Sequence, residues 1–281
     1  MKIQGKTYDE ERALYGVSNL EISECIFDGP EDGESALKEA SDIVVSDCNF
    51  RLRYPLWHVH DAQIENCQMT ETCRAALWYD RNLTIRNSKL EGIKALRECT
   101  DITIAKCRCI SSEFGWMCQS LRMSDCALMS EYPFLGSNDI EINDLDMKAK
   151  YSFQYTRNVI IRNSKLDTKD AFWHSKNVIV YDSVVKGEYL GWYAENLKLV
   201  RCTIIGTQPL CYAKGVVLED CTMKGCDLSF ERSEVEVEVR GRIDSVKNPI
   251  SGIIKADSIG ETILEPEFVA SNATIVIGDQ A

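Results

Sequence analysis

The sequence predicts an all-β protein, a parallel β-helix wound once per repeat. Three observations predict it: a fixed period, strand-type spacing of apolar residues within each period, and Asn or Asp where the chain must bend. Ser88, Cys107, Cys126, Leu145, Ser164, Ser183, Cys202 and Cys221 occupy one column, each 19 residues after the last. A fixed short period marks a repeat architecture. Each unit carries apolar positions two apart (Leu83 and Ile85) and then a second pair of small or apolar positions (Ser88 and Leu90), the alternation of a strand with one inward face. Asn82, Asp101, Asp139, Asn158, Asn177 and Asn196 precede the first strand of their units. Asn66, Asn87, Asp125, Asp144, Asn163, Asp182 and Asp220 precede the column residue. Such side chains tolerate left-handed backbone and bond their own turns. A leucine-rich horseshoe is the rival, but it needs a denser Leu pattern.

With 281 residues, 44% hydrophobic and 27% charged, the chain has an ordinary globular composition and can bury a continuous core. Because repeats fill nearly all of it, one β-helix domain over residues 1–281 is expected. Met1-Lys2-Ile3-Gln4-Gly5 lacks the apolar run of a signal peptide, and no stretch approaches a membrane span. The expected compartment is the cytoplasm, with no membrane partner. A net charge of −12 argues against nucleic acid, which demands a basic face. An anionic ligand would need a local basic patch or a bridging divalent cation; otherwise no cofactor is expected.

The thirteen cysteines are odd in number and follow the repeat. Cys25, Cys48, Cys67, Cys107, Cys126, Cys202 and Cys221 fall in the inward column, where stacked coils put neighbours about 4.8 Å apart with parallel side chains, a poor disulfide geometry. They read as buried core thiols. There is no Cys-x-x-Cys, and Cys107-x-Cys109 has no nearby His, so no metal site is expected.

In chain order, residues 1–16 form an N-terminal cap or a first strand. Thr7-x-x-Glu10 before Ala13-Leu14-Tyr15-Gly16 has a capping-box start and a glycine stop, yet Ala13-Leu14-Tyr15 also resembles the later Ala76-Leu77-Trp78. Repeats fill 17–233. The unit from Cys25 to Cys48 is 23 long because Gly29-Pro30-Glu31-Asp32-Gly33 is inserted, and that from Cys67 to Ser88 is 21 long; both extras should leave as surface loops. From Glu234 the register gives way to Glu234-Val235-Glu236-Val237-Glu238-Val239-Arg240, a strict alternation, followed by the turn Lys247-Asn248-Pro249. An open end must be covered, and residues 234–281 are expected to be a C-terminal cap of antiparallel strands.

The third strand of each unit carries what is individual. Aligned on the column residue, all five tryptophans (Trp57, Trp78, Trp116, Trp173 and Trp192) stand at one position, shared with Lys38, Arg97 and Gln154. The adjacent position (Leu77, Leu96, Phe153, Phe172) never holds a charge, so alternation turns the tryptophans outward. An exposed aromatic row rimmed by Tyr, His and acids suits flat ring faces, including those of sugars. The bland reading is a ladder that stacks on itself or fills a core corner. It stays open because Pro55, Ala76, Ala171 and Pro209 before it are uncharged too, so that a bend can intervene.

The repeat, together with Tyr151-Ser152-Phe153-Gln154-Tyr155, Leu166-Asp167-Thr168-Lys169-Asp170-Ala171-Phe172-Trp173-His174 and Ile243-Asp244-Ser245-Val246-Lys247-Asn248-Pro249, resembles an uncharacterised bacterial family, domain of unknown function 3737. The resemblance covers essentially the whole chain. It implies a bacterial protein with a pectate-lyase-like, single-stranded right-handed parallel β-helix, and it brings no activity with it. The Asn-Thr-Asp, Asp-Asp, Gly-His-Gly and Arg-Ile-Lys phrases of polygalacturonases are absent. Asp80, Glu98 and Arg97 lie on adjacent units with Arg53 and Arg74 nearby, but they match no lyase motif.

The expected function is binding of a carbohydrate or related glycan along the aromatic stripe. The alternatives are a sugar-active hydrolase or lyase on the same face, or a non-catalytic scaffold for another protein. The richest patch has Trp173, Trp192, Tyr151, Tyr155, Tyr189, Tyr193 and Gln154 as ligand-binding candidates. Asp170, His174 and Glu188 are the candidates for acid–base chemistry, although Asp170 and His174, four apart on a strand, should stand about 13 Å apart. Arg53, Arg74, Arg97, Glu98, Trp57 and Trp78 form a second candidate patch. Ligand identity and oligomeric state are not legible.

Overall fold

The computed structural model describes residues 1–29 and 34–278. The expected insert lies, from Pro30 to Gly33, outside the described residues. The chain divides into two units, Met1–Asp146 and Met147–Ala281.

In the first unit the strands Lys2–Gln4, Ser18–Ser23, Ser41–Ser46, His60–Glu65, Arg81–Arg86, Thr100–Ala105 and the start of Gln119–Met129 pair in parallel, in that order. A second parallel stack runs from Thr7–Tyr8 through Ile26–Phe27, Asn49–Phe50, Gln68–Met69, Lys89–Glu91 and Arg108–Ile110. The third contains Leu56–Trp57, Leu77–Trp78, Leu96–Arg97 and Phe114–Trp116. Leu83 pairs with Ile102 and Ile102 with Leu121, steps of 19 residues, while Leu20 pairs with Ile43 and Ala62 with Leu83 across the longer units. This is the parallel β-helix that the period predicts. Residues 7–16 contain no helix: Thr7–Tyr8 is a strand, and the Leu14 N–H bonds to the Ala36 carbonyl at 2.9 Å.

The second unit repeats the plan. Arg157–Arg162, Lys176–Tyr181, Glu195–Val200 and Val216–Lys224 form one parallel stack. Lys165–Asp167, Val184–Lys186 and Thr203–Ile205 form another, and Tyr151–Ser152 pairs with Asp170–Ala171.

All thirteen Asn and Asp bend residues named above have φ between +48° and +57°, the left-handed region in which Asx residues cost least. In the second unit the bends also lock to one another. The Asn177 side chain donates to Asn158 at 3.2 Å, and Asn196 donates to Asn177 at 3.0 Å.

Alternate strand residues fill the interior with Ile, Val and Leu, each worth about 1.5–3 kcal/mol when fully buried. Phe27 stacks on Phe50 at 4.7 Å in the first unit, and Phe153 on Phe172 at 5.1 Å in the second. All thirteen cysteines are free and buried. Those in the inward column are more than apolar filler. The Cys107 Sγ accepts the Ser88 N–H at 3.4 Å and directs its own S–H at the Ala105 carbonyl at 3.2 Å. Ser183 does the same with its hydroxyl, accepting from the Ser164 N–H at 3.0 Å and donating to the Tyr181 carbonyl at 2.6 Å. Ser and Cys interchange at these corners because each is a small side chain that both accepts and donates; Leu145 is buried in the same column with an aliphatic side chain.

The C-terminal segment corrects the expectation of an antiparallel cap. Glu234–Lys247 pairs in parallel with Ser251–Ile263, from Glu234 opposite Ser251 to Lys247 opposite Ile263, and Ser251–Ile263 pairs in parallel with Asn272–Ile277. The physical reason is that period-two alternation specifies a half-buried strand but not its direction. Each long strand turns within a coil, with a register shift beside Gly241 (φ +85°), and the chain bends at Asn248 (φ +42°) to begin the next coil in the same sense.

Candidate functional site

The third strands end in an unusual run of backbone. Phe172 has φ +63° and His174 has φ +53°, with Trp173 between them. The first bend lets Ala171 and Phe172 both point inward, each fully buried, and leaves Trp173 half-exposed on the surface. Bulky side chains in left-handed backbone cost about 1–3 kcal/mol and persist where the surroundings hold them. The same φ recurs at Tyr155, Tyr193 and Tyr212, so these rings leave successive corners in register.

They form a ladder. Tyr155 stacks on His174 at 5.3 Å, His174 on Tyr193 at 4.9 Å, and Tyr193 on Tyr212 at 5.1 Å, with interplanar angles of 2°, 9° and 18°. The indoles stand edge-on beside it. Trp173 meets Tyr155 at 5.5 Å and His174 at 4.7 Å. Trp192 meets Tyr189 at 5.0 Å and Tyr212 at 5.3 Å, and its Nε1–H donates to the Gln208 carbonyl at 2.8 Å. Tyr155 is 50% and Tyr193 41% exposed, so the ladder is an accessible face. Tyr212 is a member that the sequence reading left out of the site, although it stands 19 residues after Tyr193.

Asp170, three residues before Trp173, is paired with Tyr151 across two parallel strands. Its Oδ1 is buried without a hydrogen-bond partner. Burial pushes the carboxyl up to about 7, against the opposing pull of Lys169. Gln154 is half-buried in the tryptophan column and Glu188 is exposed next to Tyr189. The structure does not bring the three acid–base candidates together: the His174 ring is occupied on both faces by Tyr155 and Tyr193, and no contact joins it to Asp170 or Glu188 among the described residues.

The second patch belongs to the first unit. Lys38 Nζ sits 4.2 Å over the Trp57 ring, Trp57 stacks on Trp78 at 5.2 Å, and the Arg97 guanidinium lies 5.3 Å over Trp116. Its positive charge is largely matched. Arg97 pairs with Glu98 at 3.2 Å and Glu113 at 3.5 Å, and Arg53 with Glu34 at 3.7 Å; Arg74 is exposed at the end of a 3-10 turn. Asp80 is not on this surface. Tyr79 turns the chain (φ +59°), so Asp80 is only 1% exposed, with Oδ1 accepting the Val59 N–H at 2.8 Å and Oδ2 buried without a partner.

Among the described residues no group of three or more His, Cys, Asp and Glu side chains is placed to hold a metal ion, and no helix is long and apolar enough to cross a membrane.

No curated protein matches the chain. Among solved structures it is similar to a double-mutant tailspike protein of the E. coli bacteriophage HK620 in complex with a pentasaccharide, at 8% identity and a TM-score of 0.42, covering 99% of this chain and 70% of that one. It is also similar to a DFA-IIIase from Arthrobacter chlorophenolicus A6 without its lid, at 13% identity and a TM-score of 0.36, covering 100% and 89%. A third is PfbA, a surface adhesin of Streptococcus pneumoniae, at 10% identity and a TM-score of 0.31, covering 92% and 72%. Likeness at this level assigns no ligand or activity. The model of one family, Protein of unknown function (DUF3737), matches residues 1–277, and the chain belongs to that family.

Proposed function

We propose that the protein binds a glycan on the aromatic face of its second unit, with Trp173, Trp192, Tyr155, His174, Tyr193 and Tyr212 as the contact surface. The observation that carries this reading is the ladder of Tyr155, His174, Tyr193 and Tyr212, with rings 4.9–5.3 Å apart and two members strongly exposed. Rings held rigidly by their neighbours offer flat faces at little entropic cost, while phenolic hydroxyls and the Gln154 amide supply hydrogen bonds. No cofactor is needed.

The Arg97 region serves an anionic ligand less well, because Glu98, Glu113 and Glu34 already match its guanidinium groups. A sugar-active enzyme on the same face is the second reading, favoured by the unpartnered, raised carboxyl of Asp170. Tryptophan fluorescence titration with a panel of neutral oligosaccharides tests binding, and product analysis of any oligosaccharide bound separates a binding protein from an enzyme. If no member of the panel binds, and the protein instead elutes with a protein partner, the scaffold reading replaces both.

A further inference from the structure

Among the described residues, the Asp170 carboxyl holds the one buried side-chain oxygen of the aromatic patch that makes no hydrogen bond. Its Oδ1 is sealed from solvent and makes no hydrogen bond, while Oδ2 is not among the sealed atoms and the residue as a whole stays half-buried, which leaves Oδ2 as the oxygen that can meet a ligand. Its backbone N–H is spent on the Lys150 carbonyl at 2.8 Å. On the strand paired with it stands Tyr151, with Lys150 just before that strand. On its own segment stand Asp167, which is paired with Lys186 at 3.1 Å, and Lys169, the charge that acts on it. On the following segment stand Glu188 and Tyr189. One lysine does not offset the cost of an ionised oxygen that is buried and unbonded. The favourable state of the free protein is the neutral acid, with a hydroxyl available to donate.

We propose that Asp170 meets the ligand as a neutral carboxylic acid and donates a hydrogen bond to a glycan oxygen, so that occupancy of the aromatic face is coupled to a proton on this one side chain. The proposal rests on the glycan reading of that face. Ionisation withdraws the donor and places a charge beside a desolvated sugar. Binding therefore weakens as the pH rises through the range in which Asp170 titrates, about tenfold per unit once most of the protein carries the carboxylate. The raised titration range of the group agrees with this direction.

Two measurements test it. Titration of the carboxyl carbons by NMR in the free protein should show an aspartate midpoint near neutrality that is missing from Asp170→Asn; a midpoint for Asp170 in the ordinary carboxylate range overturns the proposal whatever binds. Fluorescence titrations with cellohexaose, maltohexaose and chitohexaose between pH 5 and 8.5 should then show affinity falling with pH in the wild type. The fall should be absent in Asp170→Asn, whose amide donates at every pH. Binding that is flat with pH in the wild type, or equally pH-dependent in Asp170→Asn, overturns proton coupling and leaves the glycan reading standing. Binding by none of the three, or binding unaffected by Trp173→Ala with Trp192→Ala, overturns the glycan reading and the proposal with it.

Discussion

The Ser88 backbone N–H donates to the Cys107 thiol at 3.4 Å, and one coil further the Cys107 N–H donates to the Cys126 thiol at 3.4 Å. Each corner is thus tied to the next by a small side chain that accepts from the coil before it. In the first unit the same bond links Cys67 to the Ser88 hydroxyl at 3.0 Å, which makes thiol and hydroxyl exchangeable there and an aliphatic group inferior.

Cys107→Ser should accordingly cost no more than about 1.5 kcal/mol, whereas Cys107→Ala, which leaves the Ser88 N–H buried and unbonded, should cost about 1–3 kcal/mol. Cys126→Asp should cost more than either, because it places an unpaired charge in the packed column. Urea unfolding of the three variants gives the order. Native-state labelling of Cys107, Cys126 and Cys202 should be slow, and rapid labelling would contradict their burial.

Asp80 should make stability depend on pH in the sense opposite to a salt-bridged acid. Burial raises its carboxyl well above the ordinary value, with Cys99 adding to the effect. The folded state therefore holds the proton more tightly than the unfolded chain. The resulting stability is complete below the unfolded value, near 3.9, and is lost as pH rises towards the folded value. Asp80→Asn keeps an acceptor for the Val59 N–H and has no charge to bury. It should be more stable than wild type by about 1–3 kcal/mol at pH 8, with the difference shrinking towards pH 4. Thermal melts across that range decide it, and a difference that does not vary with pH would count against a buried ionisable Asp80.

Register is the third expectation. Val159 pairs with Val178 and Ile161 with Val180, all four inward, so one residue inserted between Ile160 and Ile161 sends every following side chain of that strand to the wrong face. Folding should fail or the melting temperature fall steeply. The same insertion between Gly29 and Pro30, where the sequence already carries extra residues, should be nearly neutral. Equal melting temperatures would refute the register.

Removing the indoles should separate binding from folding. Trp173 and Trp192 are half-exposed and meet their neighbours at ring edges, and each such contact is worth about 0.5–1.5 kcal/mol. Trp173→Ala with Trp192→Ala should weaken oligosaccharide binding about tenfold or more and leave the circular dichroism spectrum unchanged. Trp57→Ala with Trp78→Ala, on the first unit, should leave affinity as it was. The reverse result would move the site to the patch of Lys38, Arg97 and Trp116.

The period, the strand alternation and the bends were legible in the sequence because each is a local property. Asn82 and Asp125 adopt left-handed backbone for reasons internal to Asx residues, and Leu83 and Ile85 share a face because strands have a period of two. The longer steps from Leu20 to Ile43 and from Ala62 to Leu83 could be read for the same reason. What only the tertiary structure decided is where a side chain stands after a bend that its own residue type disfavours. No propensity places Phe172 or Tyr193 at positive φ; packing from neighbouring coils does. That packing turns Trp173 outward, stacks His174 between two tyrosines instead of beside Asp170, and buries Asp80, which reads as a surface charge. The direction of the last three strands was likewise hidden, since parallel and antiparallel pairing present the same alternation. The balance of charge at Arg97 was hidden too, because Glu98 is its sequence neighbour while Glu113 reaches it only once one coil lies upon the next.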